Sequence, residues 1–256
     1  MSVVWADAER DVVFAQGADA AEFLHSQLAQ DIASLAVGES AHSFLLEPTG
    51  HICTLLRVVR HSDDLFTLDT DAGHGSAIVE RLKRFVLRAR VTLSISDWRV
   101  RSFRGEGAVA LVGEGIGRAV HGWGGPDAID VIGEFSTLPL VGEETEPGHI
   151  DVLRVESRWP RVGVDILVGD IPATAGVTAV AVSFSKGCYP GQELVERMDS
   201  RGANAPVILR VIPREGVGVG MRVEEDGKFL GTVTSVGMTV ALARLDRTST
   251  VGEPLA

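Results

Sequence analysis

The sequence is short of the residues that build metal centres and disulfide scaffolds. Its 256 residues hold two cysteines, Cys53 and Cys188, far apart in the chain. A disulfide framework is not expected from them, and free thiols in a reducing cytoplasm are the simpler reading. The seven histidines include no H-x-x-x-H pair, and no Cys-x-x-Cys is present, which argues against a dedicated zinc site. A resident iron–sulfur cluster normally needs four thiolates, more than one chain supplies here. Basic residues are also scarce, 24 against 35 acidic ones, for a net charge of −11. Such a chain is a poor general binder of nucleic acid or of an anionic membrane. No apolar run is long enough to span a bilayer. The start, Met1 to Asp7, lacks the basic-then-apolar pattern of a secretory signal. The glycine clusters Gly113-Glu114-Gly115-Ile116-Gly117 and Gly122-Trp123-Gly124-Gly125 match neither a dinucleotide fingerprint nor a P-loop, and no G-x-S-x-G elbow occurs.

What is present is an ordinary globular composition, 45% hydrophobic, with ample material for a core. The length suits one large or two to three small domains. The densest chemistry lies at Ser183-Phe184-Ser185-Lys186-Gly187-Cys188-Tyr189-Pro190-Gly191-Gln192-Glu193. Pro190 suits the first position of a helix. Leu194, Val195 and Met198 fall on one face of it, with Glu196, Arg197 and Asp199 on another and Gly202 as its stop. Cys188 is then expected in a loop before a helix N-terminus. The helix dipole and Lys186 favour its thiolate, and Glu193 opposes them. A small buried cysteine in a tight turn is the plainer alternative.

Val12 to Phe14 reads as a strand. Asp19 and Glu22 have capping-box spacing ahead of an apolar face of Phe23, Leu24 and Leu28. Ala41 to Leu46 and Ile52 to Val59 read as a hairpin around Glu47-Pro48-Thr49-Gly50. Leu65 to Leu68 reads as a strand. Ser76 is placed to cap a helix carrying Ile78, Leu82, Phe85, Val86 and Ala89, with Arg81, Lys83, Arg84 and Arg88 on solvated faces. Val91 to Ile95, Ala108 to Val112 and Ile129 to Ile132 read as strands, and Asp151 to Arg158 as a helix. After Gly202 short strands recur at Val207 to Ile212, Met221 to Glu224, Phe229 to Thr234 and Thr239 to Leu245, with Asp226-Gly227 as a hairpin turn. This tail reads as a small β-barrel over 205–256, following mixed helices and strands over 1–204. The strands mixed with two helices fit a split, ferredoxin-like unit.

The octapeptide Lys186-Gly187-Cys188-Tyr189-Pro190-Gly191-Gln192-Glu193 resembles the K-G-C-Y-x-G-Q-E signature of the YgfZ family. Those are folate-binding proteins implicated in iron–sulfur cluster maturation, related in fold to the aminomethyltransferase of glycine cleavage. Gly17-Ala18-Asp19-Ala20 with Phe23-Leu24 resembles the same family. So do Leu45 to Ile52, Arg154 to Arg158, and Arg161-Val162-Gly163-Val164-Asp165-Ile166. The stretch from Trp98 to Pro147 matches only loosely.

The resemblance implies an α+β, aminomethyltransferase-like fold: two ferredoxin-like subdomains and a small C-terminal β-barrel around a central folate cavity. It implies tetrahydrofolate or a derivative as cofactor, with the Cys188 loop facing the cavity. Transient iron–sulfur partners are implied, including enzymes that modify tRNA. Cys188 and Lys186 are the candidate reactive residues. Glu156, Arg154, Gly187, Tyr189, Gly191, Gln192 and Glu193 are the candidate folate-binding ones. Glu156 can accept the adjacent N–H groups of a pterin as a pair, or equally pair with Arg154 or Arg158 at the surface. Aminomethyltransferases carry an acidic pair in the hairpin. Cys53 and Thr54 stand there instead, which argues against aminomethyl transfer. A different folate-dependent one-carbon transferase and a passive folate-binding module are the alternatives.

Overall fold

A computed structural model describes residues 2–113, 117–119, 123, 125, 127–201 and 205–255. Within the first half the elements are β1 (Val4–Ala8), β2 (Arg10–Gln16), α1 (Ala20–Gln27), β3 (Ser40–Leu46), β4 (Ile52–Arg60), β5 (Leu65–Asp71), α2 (Gly75–Lys83), β6 (Thr92–Ser96) and β7 (Arg99–Arg104). There follow α3 (Ala108–Val112), β8 (Arg118–Ala119), β9 (Ile129–Gly133), β10 (Glu143–Glu144), α4 (Pro147–Glu156), α5 (Thr178–Ala181) and α6 (Gln192–Arg201). The last are β11 (Val207–Pro213), β12 (Arg222–Glu225), β13 (Lys228–Val236), β14 (Val240–Asp246) and β15 (Glu253–Pro254). No helix among the described residues is long and apolar enough to cross a membrane.

The strands form three five-stranded sheets. The first, in the order β3-β4-β5-β2-β6, is antiparallel throughout and carries α1 and α2 on one face. The second has the order β10-β1-β7-β9-β8. Its strand β1 precedes the whole first sheet in sequence, so the two α+β units interleave. The third, β12-β13-β14-β11-β15, is the C-terminal β unit. One apolar core joins it to the first sheet. Phe44, Leu46, Ile52 and Leu55 pack there with Val155, Ile166, Tyr189, Val195, Leu209 and Leu242. A smaller cluster of Val12, Val59, Val100 and Ile132 joins the first sheet to the second.

Local chemistry corrects several sequence expectations. Ala108 to Val112 is helix α3, not strand. Its left-handed Gly107 starts a single turn that buries Ala108 and Val112, four residues apart, on one face. A five-residue apolar run has no period to tell the two apart. Asp19 does precede α1 but makes no side-chain cap; its carboxylate accepts from the Arg90 backbone and guanidinium instead. The helix expected to start from Ser76 starts earlier, because Asp11 of β2 accepts the Gly73 and Gly75 N–H groups at 2.9 and 2.8 Å. The helix after Cys188 begins at Gln192 rather than Pro190, since Gly191 turns the chain first at φ +88°. Arg81 is buried, not solvated, and donates to the Leu46 carbonyl at 2.9 Å. The expected stop Gly202, the boundary residue Asn204, the cluster residues Glu114, Gly115, Ile116, Gly122 and Gly124, and the Asp199 side chain lie outside the described residues.

A polar joint centres on Asp165, which has no exposed surface. Its carboxylate accepts from Arg154 Nη1 at 2.8 Å, Thr234 Oγ1 at 2.6 Å, Ser235 Oγ at 2.7 Å and the Arg161 backbone at 3.0 Å. The segment after α4 is thereby tied to β13. Asp165→Ala removes the buried counter-charge of the Arg154 guanidinium, leaving it the half-exposed Asp151 carboxylate. Urea unfolding of this variant is expected to show a loss of about 3–5 kcal/mol; a loss below about 1 kcal/mol contradicts this role.

Candidate functional site

A cavity of about 350 Å³ lies where β1, the first sheet and α4 meet. That is within the range of small-molecule sites. Arg10, His42, Arg57 and Asp71 come from the first sheet, Asp130 from β9, and Asp151 and Arg154 from α4. Trp123, Trp159 and Arg161 also line it.

The floor is a relay of alternating charges. Arg10 donates to Asp71 at 3.1 Å and also to Asp69. Asp69 receives Arg57 in a two-point contact at 2.9 and 3.1 Å. Arg57 reaches across to Asp130 at 2.5 Å, and Asp130 receives Arg104 at 2.8 Å. The Arg104 guanidinium lies 3.9 Å from the Trp123 ring centroid. Counting Arg10, Arg57 and Arg104 against Asp71, Asp69 and Asp130, the relay is neutral. Burial by itself would lower the pKa of Arg57, but Asp69 and Asp130 reverse that and hold it above its usual range. Burial would raise the carboxyl of Asp130, and Arg104 and Arg57 hold it far below the usual range. Asp69 is lowered in the same way, against its burial, by Arg57 and Arg10.

His42 faces the same cavity, its ring centroid 4.5 Å from that of Trp159. Burial, then the Arg57 charge, lowers its pKa to about 3, so it is neutral at physiological pH. The wall thus offers flat rings, neutral imidazole, carboxylate acceptors and guanidinium donors. Arg104 Nε and Nη2 are buried and have no hydrogen-bond partner among the described residues.

The sequence-derived candidates are not all brought together here. Arg154 lines the cavity, but its guanidinium is shared among Asp151, Asp165, Ser235 and the Trp159 carbonyl. Glu156 stands elsewhere. It accepts from the Thr239 backbone at 2.7 Å, from the Thr239 hydroxyl at 2.5 Å and from Val240 N–H at 3.3 Å, fastening the β13–β14 turn. It pairs with neither Arg154 nor Arg158. The residues 186–193 form a unit of their own, and none of them lines the cavity. Cys188 is exposed there. Lys186 donates to the carbonyls of His25, Leu28 and Gln30 rather than standing free beside the thiol. Tyr189 is buried; burial, with Glu196 secondary, raises its phenol to about 12. Gln192 accepts the Tyr189 N–H at 3.4 Å and donates to Glu196, and Glu193 is exposed. Gly187 has open space where a Cβ would stand. Gly191 does not: a Cβ there would come within 2.7 Å of the Glu47 carbonyl. The signature loop therefore rests directly on the β3–β4 turn.

Cys53 is the opposite kind of thiol. It is buried and donates to Glu47 Oε1 at 3.2 Å. Burial first, then Glu47, raises its pKa to about 12. Thr54 shares a 2.7 Å hydroxyl contact with Thr70 and has no exposed surface. Sequence reasoning missed Arg10, Arg57, Asp69, Asp130 and His42. The signal available was a lone arginine, Arg57, inside the apolar run of β4, where an unpaired charge is costly.

No family profile matches the chain. An uncharacterized protein of Haemophilus influenzae is 27% identical over 235 residues, covering 86% of this chain and 79% of that protein. The tRNA-modifying protein YgfZ of Cronobacter sakazakii is 26% identical, covering 85% of this chain and 75% of its own. That of Aliivibrio fischeri strain MJ11 is 25% identical, covering 90% and 80%. Among solved structures, the glycine cleavage system aminomethyltransferase T from Bartonella henselae superposes with a TM-score of 0.77. It is 20% identical, over 96% of this chain and 78% of that one, and it shows a shared fold.

The two thiols are expected to separate kinetically. Iodoacetamide at pH 8 should modify Cys188 in the native chain and leave Cys53 intact until the protein is unfolded. Mass spectrometry of tryptic peptides checks this; modification of Cys53 ahead of Cys188 contradicts the assignment.

Proposed function

The chain is a YgfZ-family protein, and from that premise we propose that it binds a reduced folate and supports the assembly or repair of iron–sulfur enzymes, tRNA-modifying ones among them. The observation that carries the ligand is the cavity wall, where the rings of Trp159 and His42 stand beside both carboxylates and guanidinium groups. A pterin is a flat heterocycle with adjacent N–H donors, which a carboxylate accepts as a pair. Asp151, at the end of the cavity where Arg161 is half-exposed, is the acceptor for them, offering Oδ2 while its Oδ1 accepts from Arg154 and Arg161. Arg161 offers a donor for the negatively charged tail. When bound, a reduced folate carries one-carbon units.

The chain's own residues supply the flat walls, the fixed charges and exclusion of water. The relay leaves Arg57 and Asp69 fully engaged, so they shape the floor rather than take protons. The folate candidates Gly187, Tyr189, Gly191, Gln192, Glu193 and Glu156 lie outside this wall, and Arg154 alone of the original set belongs to it. Aminomethyl transfer in the manner of glycine cleavage is disfavoured, because Cys53 and Thr54 offer no carboxylate. Cys188 is the thiol available to partner proteins, being exposed on the loop that rests on the β3–β4 turn.

Calorimetric titration with tetrahydrofolate tests the ligand. Wild type should bind, Trp159→Ala should bind about tenfold more weakly through lost ring contact, and Cys188→Ser should bind as wild type does. In a deletion strain, Cys188→Ser should fail to restore aconitase activity under oxidative stress while Cys53→Ser restores it. Absence of heat and of any thermal shift at millimolar ligand refutes the folate reading; full rescue by Cys188→Ser refutes the thiol's role.

A further inference from the structure

The geometry points to Lys186 as a positioning residue: its ammonium clamps the Cys188 loop to the C-terminal end of α1. The last carbonyls of a helix have no partner within it and carry its partial negative charge, so a cation is well placed there. Lys186 Nζ donates to the His25 carbonyl, to Leu28 O at 2.6 Å and to Gln30 O at 3.2 Å. Those acceptors lie in the last turn of α1 and just beyond it, about 160 residues earlier in the chain. An ammonium has three N–H donors, and these three carbonyls use all of them. The side chain also passes 5.1 Å from the Tyr189 ring centroid.

The rest of the loop is fastened at its two ends. Ser183 N–H donates to Ala29 O at 3.0 Å, and Gly191 packs on Gly50 and Glu47. Between them Ser185, Gly187 and Cys188 make no backbone hydrogen bond among the described residues. Among the described residues, Lys186 is therefore the hydrogen-bonded tether of this stretch to α1, beside the core packing of the neighbouring Tyr189 ring. The carbonyl set explains why a lysine, and not merely an apolar residue, stands two positions before the cysteine: Lys186 is the one cation between Ser183 and Glu193, and its three donors all go to the end of α1. That the tether matters for partner proteins rests on the reading of Cys188 given above; the anchoring itself does not.

The test attaches a methanethiosulfonate nitroxide to Cys188 in the full-length, otherwise native chain, where buried Cys53 stays unlabelled. Electron paramagnetic resonance then reads the order of the loop. Wild type should show a motionally restricted component. Lys186→Met keeps the length and apolar stem but loses the donors, and the restricted component should be lost. Lys186→Arg should recover it at least in part, because a guanidinium also donates to several carbonyls. Amide hydrogen exchange on the same variants separates local from global effects. Loss of protection in Lys186→Met should be confined to 183–191 and to the end of α1. An unchanged spectrum in Lys186→Met overturns the proposal. So does protection lost through all three sheets, which makes the lysine a general stabiliser. If tetrahydrofolate binding fails while the nitroxide result holds, the anchoring stands and the ligand reading falls.

Discussion

Arg57 projects from the middle of a mostly apolar strand and has almost no contact with water. A charge in that position is tolerable only when fully paired and hydrogen-bonded. Asp69 supplies one partner from the neighbouring strand, and Asp130 the other from a different sheet. Since Asp130 also holds Arg104, and Asp69 also holds Arg10, no member can move alone. The relay thus fixes how the first sheet meets the second. The cavity is the space left above it, walled by α4 and the two tryptophans. The C-terminal sheet joins through a second polar centre, Asp165, whose carboxylate gathers Arg154, Thr234 and Ser235. Arg154 belongs to both regions, lining the cavity and closing the Asp165 joint.

Much of the architecture was legible because its causes are local. The largely apolar runs Ala41 to Leu46 and Ile52 to Val59, with turn residues between, specify the hairpin. Asp226-Gly227 specifies the β12–β13 turn, where both residues take positive φ. The signature around Cys188 identified the family because eight adjacent residues carry it. What was not legible depends on partners distant in sequence. Asp130 lies 73 residues beyond Arg57, and no spacing rule pairs them. Asp19 looked like a cap, yet Arg90, 71 residues on, takes its carboxylate. Glu156 looked like a ligand acceptor, yet the β13–β14 turn, 83 residues on, uses it. A carboxylate's type is visible in sequence; its occupancy is a property of the fold.

The structure also separates two groups of candidate residues that the sequence motif had placed together. The cavity with its rings and charges is one locus. The exposed thiol on its clamped loop is another, resting on the β3–β4 turn and outside the cavity wall. The hairpin links them: β3 supplies His42 and β4 supplies Arg57 to the cavity, while the turn between these strands touches Gly191. A ligand that changes the order of the hairpin has a direct physical route to the loop.

The claim on which all of this depends is that the Arg57 relay holds the first two sheets together. Arg57→Met removes the central charge while keeping an unbranched apolar stem, leaving Asp69 and Asp130 each with a single cationic partner. Differential scanning calorimetry of this variant against wild type is the direct measurement. The relay predicts a loss of about 3–5 kcal/mol, the cost of breaking a buried pair from one side. A variant within about 0.5 kcal/mol of wild type, the range of ordinary surface substitutions, would contradict it.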